Sequence, residues 1–164
     1  MNRKYIYIFS ESLSEETAQE FIDHTIDYDN IDVFISGSGG ESMAMNIIAH
    51  YINNREGIEI YVDDIVLSNT AFLIFKELKC PIYITTGFSG AMLHQVDNLT
   101  YNNREDIYSN MIAESVKEDN KKIQKWLKGK ISKKEYKTFN KGLDVILTRK
   151  QVIKGFLKSN IKVI

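Results

Sequence analysis

Three short runs of β-branched and aromatic residues, Tyr5 to Phe9, Ile31 to Ser36 and Ile58 to Val62, are separated by stretches whose apolar residues fall at helical spacing. This alternation restricts the chain more than any other feature. A strand followed by a helix and another strand returns to the same sheet in parallel, through a right-handed crossover. Ser14, followed by Glu15, Glu16 and Thr17, gives the first helix its start, with Phe21, Ile22 and Ile26 on one face. A second helix is expected over Ser42 to Asn53 with Met43, Ile47, Ile48 and Tyr51 inward, after a tight loop from Gly37 to Gly40. The expectation is an α/β domain on a mainly parallel sheet.

Beyond Val62, Ser68 is expected to open a helix reaching about Leu78, followed by a strand over Pro81 to Thr85 and a short one from Phe88 to His94. From Asn103 to about Leu127 the residues Ile107, Met111, Val116, Ile123 and Trp126 recur at roughly helical spacing. A further helix near Ser132 to Phe139, a loop holding Gly142 and Asp144, a helix from Thr148 and a strand over Ile161 to Ile164 complete the expected order. With 164 residues and 43% of them hydrophobic, one domain spanning 1–164 buries an adequate core without staples.

Several classes fall away on composition. The single Cys80 excludes an intramolecular disulfide framework, and the Cys and His residues lack zinc-site spacing, so no metal or cofactor is expected and a reducing, cytoplasmic setting is the default. The apolar run behind Met1-Asn2-Arg3-Lys4 ends at Ser10-Glu11, too short for a secretory signal or a membrane span. Charge is uneven: residues 1–64 hold thirteen Asp/Glu against three Lys/Arg, and residues 117–162 hold fifteen Lys/Arg against four Asp/Glu. Lysines interleaved with Ile123, Trp126 and Leu127 read as a solvated helix face, and no helix-turn-helix, RNA-binding or phosphate-loop motif makes them a nucleic-acid footprint.

Four segments stand in an order that carries chemistry: Ser38-Gly39-Gly40, Leu67-Ser68-Asn69-Thr70-Ala71-Phe72-Leu73, Met92-Leu93-His94-Gln95 and Asp144-Val145-Ile146-Leu147-Thr148. A glycine turn offers N–H groups to an oxyanion, a serine at a helix start attacks a carbonyl, and a histidine held by an aspartate moves the proton. The order Ser, His, Asp differs from those of the α/β-hydrolases, chymotrypsin and subtilisin, and Ser68 lacks flanking glycines. Each residue also has an ordinary reading. Ser68 alone is an N-cap, Gly39 and Gly40 alone end a strand, and His24 and His50 lie on helices among polar neighbours. His94 sits at a strand end where an imidazole is half buried, and Asp144 lies among apolar residues, where a buried carboxylate needs a partner. Asp97 is the competing orienter for His94. Asp63 and Asp64 precede Ser68, and carboxylates there disfavour an oxyanion unless they point away.

With these segments the chain resembles the ClpP family, the proteolytic subunits of the Clp protease, whose members carry S-P-G-G, A-S-M-G-A-F-L-L, M-I-H-Q and D-x-F-x-S/T in this order and at similar separations. The proline is absent here. The resemblance implies a ClpP/crotonase-like α/β fold of repeated β-β-α units with a handle helix, about residues 103–140, that protrudes and interleaves two rings. It further implies a serine endopeptidase cleaving unfolded or short peptides, with Ser68 as nucleophile, His94 as general base and acid, Asp144 orienting His94, and the N–H groups of Gly40 and Asn69 as oxyanion hole. The partners it implies are a peptide substrate and copies of the same chain in a ring of six or seven subunits, single or stacked, with neither nucleic acid nor membrane. Family members carry an N-terminal gate segment that meets an unfoldase ATPase, whereas the first strand here begins by Tyr5, which leaves an ATPase partner in doubt. Two rival readings are a catalytically silent ring or scaffold subunit and, with less support from the triad, an acyl-thioester enzyme of the crotonase type.

Overall fold

A computed structural model describes residues 4–96 and 107–164. Along the chain run β1 (Tyr5–Phe9), α1 (Glu15–Thr25), β2 (Ile31–Gly37), α2 (Ser42–Asn53), β3 (Ile58–Leu67), α3 (Ser68–Phe72), a π-helical turn (Leu73–Glu77), β4 (Ile82–Ile84), β5 (Gly90–Leu93), α4 (Ile107–Leu127), α5 (Lys133–Asn140), β6 (Val145–Thr148), α6 (Arg149–Phe156) and β7 (Ile161–Val163). They form two compact units, Met1–Leu93 with Ile146–Ile164, and His94–Val145.

In the first unit the sheet order is β1-β2-β3-β4-β7, and each of these neighbouring pairs is parallel, as the strand–helix alternation requires. Val33, Ile35, Ile60, Val62, Ile82 and Ile84 are buried, together with Ala18 and Phe21 of α1 and Ala44, Ile48 and Ile52 of α2. Alternate residues emerge on the opposite face, where the rings of Phe34, Tyr61 and Tyr83 stack in register with centroids 4.9 and 5.0 Å apart. Lys4 Nζ lies on the same strands, 2.6 Å from Asp32 Oδ1 and 2.5 Å from Glu59 Oε2.

Expectation and structure part company in α2. Ile48 is buried as read, but Met43 is 61% and Ile47 37% exposed, and the inward stripe is Ala44, Ile48, Ala49 and Ile52. The small Ala44 and Ala49 permit close packing of α2, whose neighbouring elements are α1, the π-helical turn and α3, so the stripe is rotated relative to one drawn through the largest side chains. In α1 likewise, Phe21 is buried while Ile26 is 56% exposed at the helix end.

β3 differs from expectation in length. It continues past Val62 to Leu67, and Asp64 at φ 67° bends it, so that Ile35 pairs with Val62 but Gly37 with Val66. The extra residues form a bulge. Below the bend β3 pairs with β4, and above it with β5, which also pairs β6.

In the second unit α4 and α5 are in contact. Ile123, Leu127 and Phe139 are buried and Met111 is 63% exposed, so part of the apolar set read on the long helix is satisfied within the protomer. The expected start of that helix at Asn103 and the competing Asp97 lie outside the described residues, as does the side chain of Ile107. Ser132 and Thr148 cap α5 and α6 through capping boxes. No helix among the described residues is long and apolar enough to cross a membrane, and no described group of His, Cys, Asp and Glu residues forms a metal cluster.

Burial pushes the Cys80 thiol up to about 12. Because the thiolate is the reactive species, the native protein at pH 8 is expected to leave Cys80 unmodified by iodoacetamide over a time that fully alkylates the urea-unfolded chain. Peptide mass mapping checks this, and equal alkylation in both states would place the thiol in solvent.

Candidate active site

The upper half of β3 delivers Ser68 to the strand–helix turn in an uncommon backbone state. Ser68 has φ 51°, in the left-handed region, where an L-residue other than glycine, asparagine or aspartate rarely sits. Its side chain is buried, with the residue 7% exposed. Strain of this kind persists only where surrounding contacts enforce it, and here the glycine loop does so. A Cβ on Gly39 would lie 2.4 Å from Ser68 Cβ and 3.0 Å from its Oγ, so the loop backbone packs directly on the serine.

The loop is fixed on its other edge by the segment before α1. Leu13 N donates to Gly39 O at 2.6 Å, Glu41 N donates to Leu13 O at 2.8 Å, and Ser12 Oγ adds a bond to Gly39 O at 3.2 Å. Gly40, at φ 129°, meets Leu13 so closely that a Cβ would fall 2.1 Å from Leu13 O. The Asn69 side chain completes the arrangement, its Nδ2 donating to Gly40 O at 2.6 Å and to Ser42 Oγ at 3.2 Å. Thus the Gly39–Gly40 loop and the Ser68–Asn69 turn, far apart in sequence, lie against each other in the first unit.

Asp63 and Asp64 take the bulge and are exposed. Asp63 accepts from Thr85 Oγ1 and sits against Gly87, where a Cβ would fall 2.0 Å from its Oδ1. With Asp64 it borders a cavity of about 340 Å³ lined by Ile6, Ile8, Phe34 and Ser36, on the aromatic face of the sheet. Of the two carboxylates that precede the serine in sequence, that of Asp63 is therefore engaged elsewhere and Asp64 is exposed.

His94 and Asp144 belong to the second unit. His94 is half-buried directly after β5, and its Nδ1 lies 2.6 Å from the Gln95 carbonyl oxygen. A carbonyl only accepts, so Nδ1 carries a proton, and in the neutral ring Nε2 then keeps the lone pair, the tautomer a general base needs. The segment is anchored by Gln95 Nε2 donating to Phe139 O at 2.8 Å, and by Asn120, which accepts from Val96 N at 2.8 Å and donates to Val96 O at 2.9 Å. Asp144 stands just ahead of β6 and is exposed, and among the described residues no hydrogen bond joins it to His94. Its carboxylate therefore has water, and the partner that burial would demand is not required.

Sequence reasoning missed three groups: the Gln95 carbonyl, the Asn69 side-chain amide and the Leu13 backbone. The first and last are main-chain contacts with no side-chain signature, whereas an amide directly after the candidate nucleophile was visible.

No family model matches the chain, and no curated protein does. Among solved structures it is similar to a mutant of ClpP1 from Listeria monocytogenes, with a TM-score of 0.62, 16% identity, and 97% of this chain and 90% of that chain covered. At this identity the likeness concerns architecture: the chain has a ClpP-like α/β fold.

Proposed function

We propose that the chain is a ClpP-type serine endopeptidase acting on unfolded or short peptides. The observation that carries this reading is the left-handed Ser68 on a strand–helix turn, held against the glycine loop; a strained, tightly packed nucleophile turn has no evident structural purpose. Ser68 Oγ attacks the scissile carbonyl as its proton passes to His94 Nε2. The N–H groups of Gly40 and Asn69 bind the oxyanion, and the imidazolium returns the proton to the leaving amine. Water then repeats the cycle on the acyl-enzyme. Asp144 orients His94 in the catalytic arrangement, exchanging with the Gln95 carbonyl at Nδ1. The chain works as a homo-oligomeric ring of six or seven subunits that confines the sites in a chamber.

A second reading, a catalytically silent ring subunit, is favoured by one contact: His94 Nδ1 is satisfied by its own neighbour's carbonyl while Asp144 faces water. Treating the intact protein with a fluorophosphonate and mapping the adduct separates the two. Modification at Ser68 supports the peptidase; folded protein that stays unmodified at millimolar probe supports the silent subunit. Asp144→Asn is expected to lower kcat by about 10⁴-fold, the loss seen when a triad aspartate becomes an amide. A change under about threefold would leave the Gln95 carbonyl as the orienting group.

A further inference from the structure

We infer that the side chain of Asn69 is a positioning residue that locks the oxyanion loop to the nucleophile turn, a role beyond the backbone N–H assigned to it above and one that rests on the peptidase reading. Three polar groups of the loop are already engaged. Gly39 O is taken by Leu13 N and Ser12 Oγ, Glu41 N by Leu13 O, and Gly40 O by Asn69 Nδ2 at 2.6 Å. Among the described residues this leaves the Gly40 N–H without a partner. The described peptide bonds are trans, so this N–H points opposite to Gly39 O, away from Leu13.

Two jaws therefore hold the Gly40 peptide groups. Leu13 fixes one edge through main-chain bonds, and Asn69 fixes the other through its amide. Asn69 is 6% exposed and a second bond, to Ser42 Oγ at 3.2 Å, sets the plane of that amide. The same residue carries the second oxyanion donor on its own N–H, one position after Ser68. One side chain thus fixes the distance between the two donors, and neither glycine can do this because neither has a side chain. An oxyanion hole acts only if its donors are set before the charge develops, and a misplacement of about 1 Å costs up to about 10²-fold in rate. The loop carries left-handed φ values at both Gly39 and Gly40, with no side chain of its own to restrict it, so the restriction falls to Asn69.

The test compares the parent with Asn69→Ala and Asn69→Asp, the latter keeping volume while removing the donor. Steady-state hydrolysis of a fluorogenic peptide, the rate of Ser68 phosphonylation by a fluorophosphonate, and thermal melting are measured for each. The expected result is a fall in kcat of about 10- to 100-fold in both variants with KM within about threefold, a parallel fall in phosphonylation rate, and retained cooperative melting. A merely structural residue would lower the melting temperature without this split. If the parent is active and either folded variant keeps kcat within about threefold, the positioning role is overturned and the peptidase reading stands. A parent that neither hydrolyses peptide nor is labelled overturns both. If both variants fail to fold, Asn69 is architectural and the inference is overturned.

Discussion

Replacing Ser68 by glycine is expected to end hydrolysis and fluorophosphonate labelling while raising the melting temperature above that of Ser68→Ala. The loss of the nucleophile should lower kcat by about 10⁴-fold or more, leaving only what the binding site supplies. The stability effect has a separate origin. Ser68 sits at φ 51°, where an L-side chain costs about 1–2 kcal/mol. Alanine retains that cost and glycine removes it, less about 0.5–1 kcal/mol for the freedom glycine gains in the unfolded chain. The net shift for a domain of this size is a few degrees, on the scale of about 2–4 °C per kcal/mol. Calorimetry of the two variants side by side isolates the backbone term, since both lack the hydroxyl. A Ser68→Gly protein melting below Ser68→Ala would mean the turn is unstrained, since only the unfolded-state freedom of glycine would then act, and the observation on which the peptidase reading rests would lose its meaning.

The second large effect is expected at Gly39. A methyl group there would stand 2.4 Å from Ser68 Cβ and 3.1 Å from Leu67 O, on a residue at φ 95°. Neither neighbour is the tip of a flexible side chain, so the loop or the nucleophile turn must move. Gly39→Ala should therefore slow Ser68 labelling by about 10²-fold or more through misplacement alone, and destabilise the fold by about 1–3 kcal/mol from the backbone conformation. The corresponding change at Ser38, outside the left-handed pair, serves as the comparison. Stopped-flow labelling and urea unfolding read the two effects independently, and a Gly39→Ala protein labelled at the parental rate would show that loop and serine are not packed as described.

The parallel sheet was legible because β1, the lower part of β3 and their connecting helices each obey one period. What escaped has physical reasons. The phase of α2 was misjudged since Met43 and Ile47 are large and apolar yet 61% and 37% exposed, whereas the helix packs through Ala44 and Ala49, whose value is smallness rather than hydrophobicity. The upper half of β3 was invisible because Asp63 and Asp64 interrupt the apolar alternation at the bulge. At the candidate site, Gly39 packs on Ser68 and Gly40 is bonded by Asn69, a proximity that the resemblance implies. The Nδ1 partner of His94 is not so implied, because it is a backbone carbonyl that every residue possesses.

The bend in β3 has a consequence for how this protein tolerates change in length. Side chains along a strand alternate in direction, so shifting the count by one turns every later residue to the other face. The bulge at Asp64 absorbs the mismatch between the part of β3 that serves the main sheet and the part that presents Ser68. At this exposed position Asp64→Asn is thus expected to be mild and Asp64→Gly even favourable given its φ of 67°, whereas a β-branched residue there would be strained. Removing the residue altogether would swap the buried Val66 with its neighbours and turn the serine away from the glycine loop. For the exposed residues 63–65 the number of residues matters more than which residues they are, and a lineage of such chains should accept more variation in spelling there than in length.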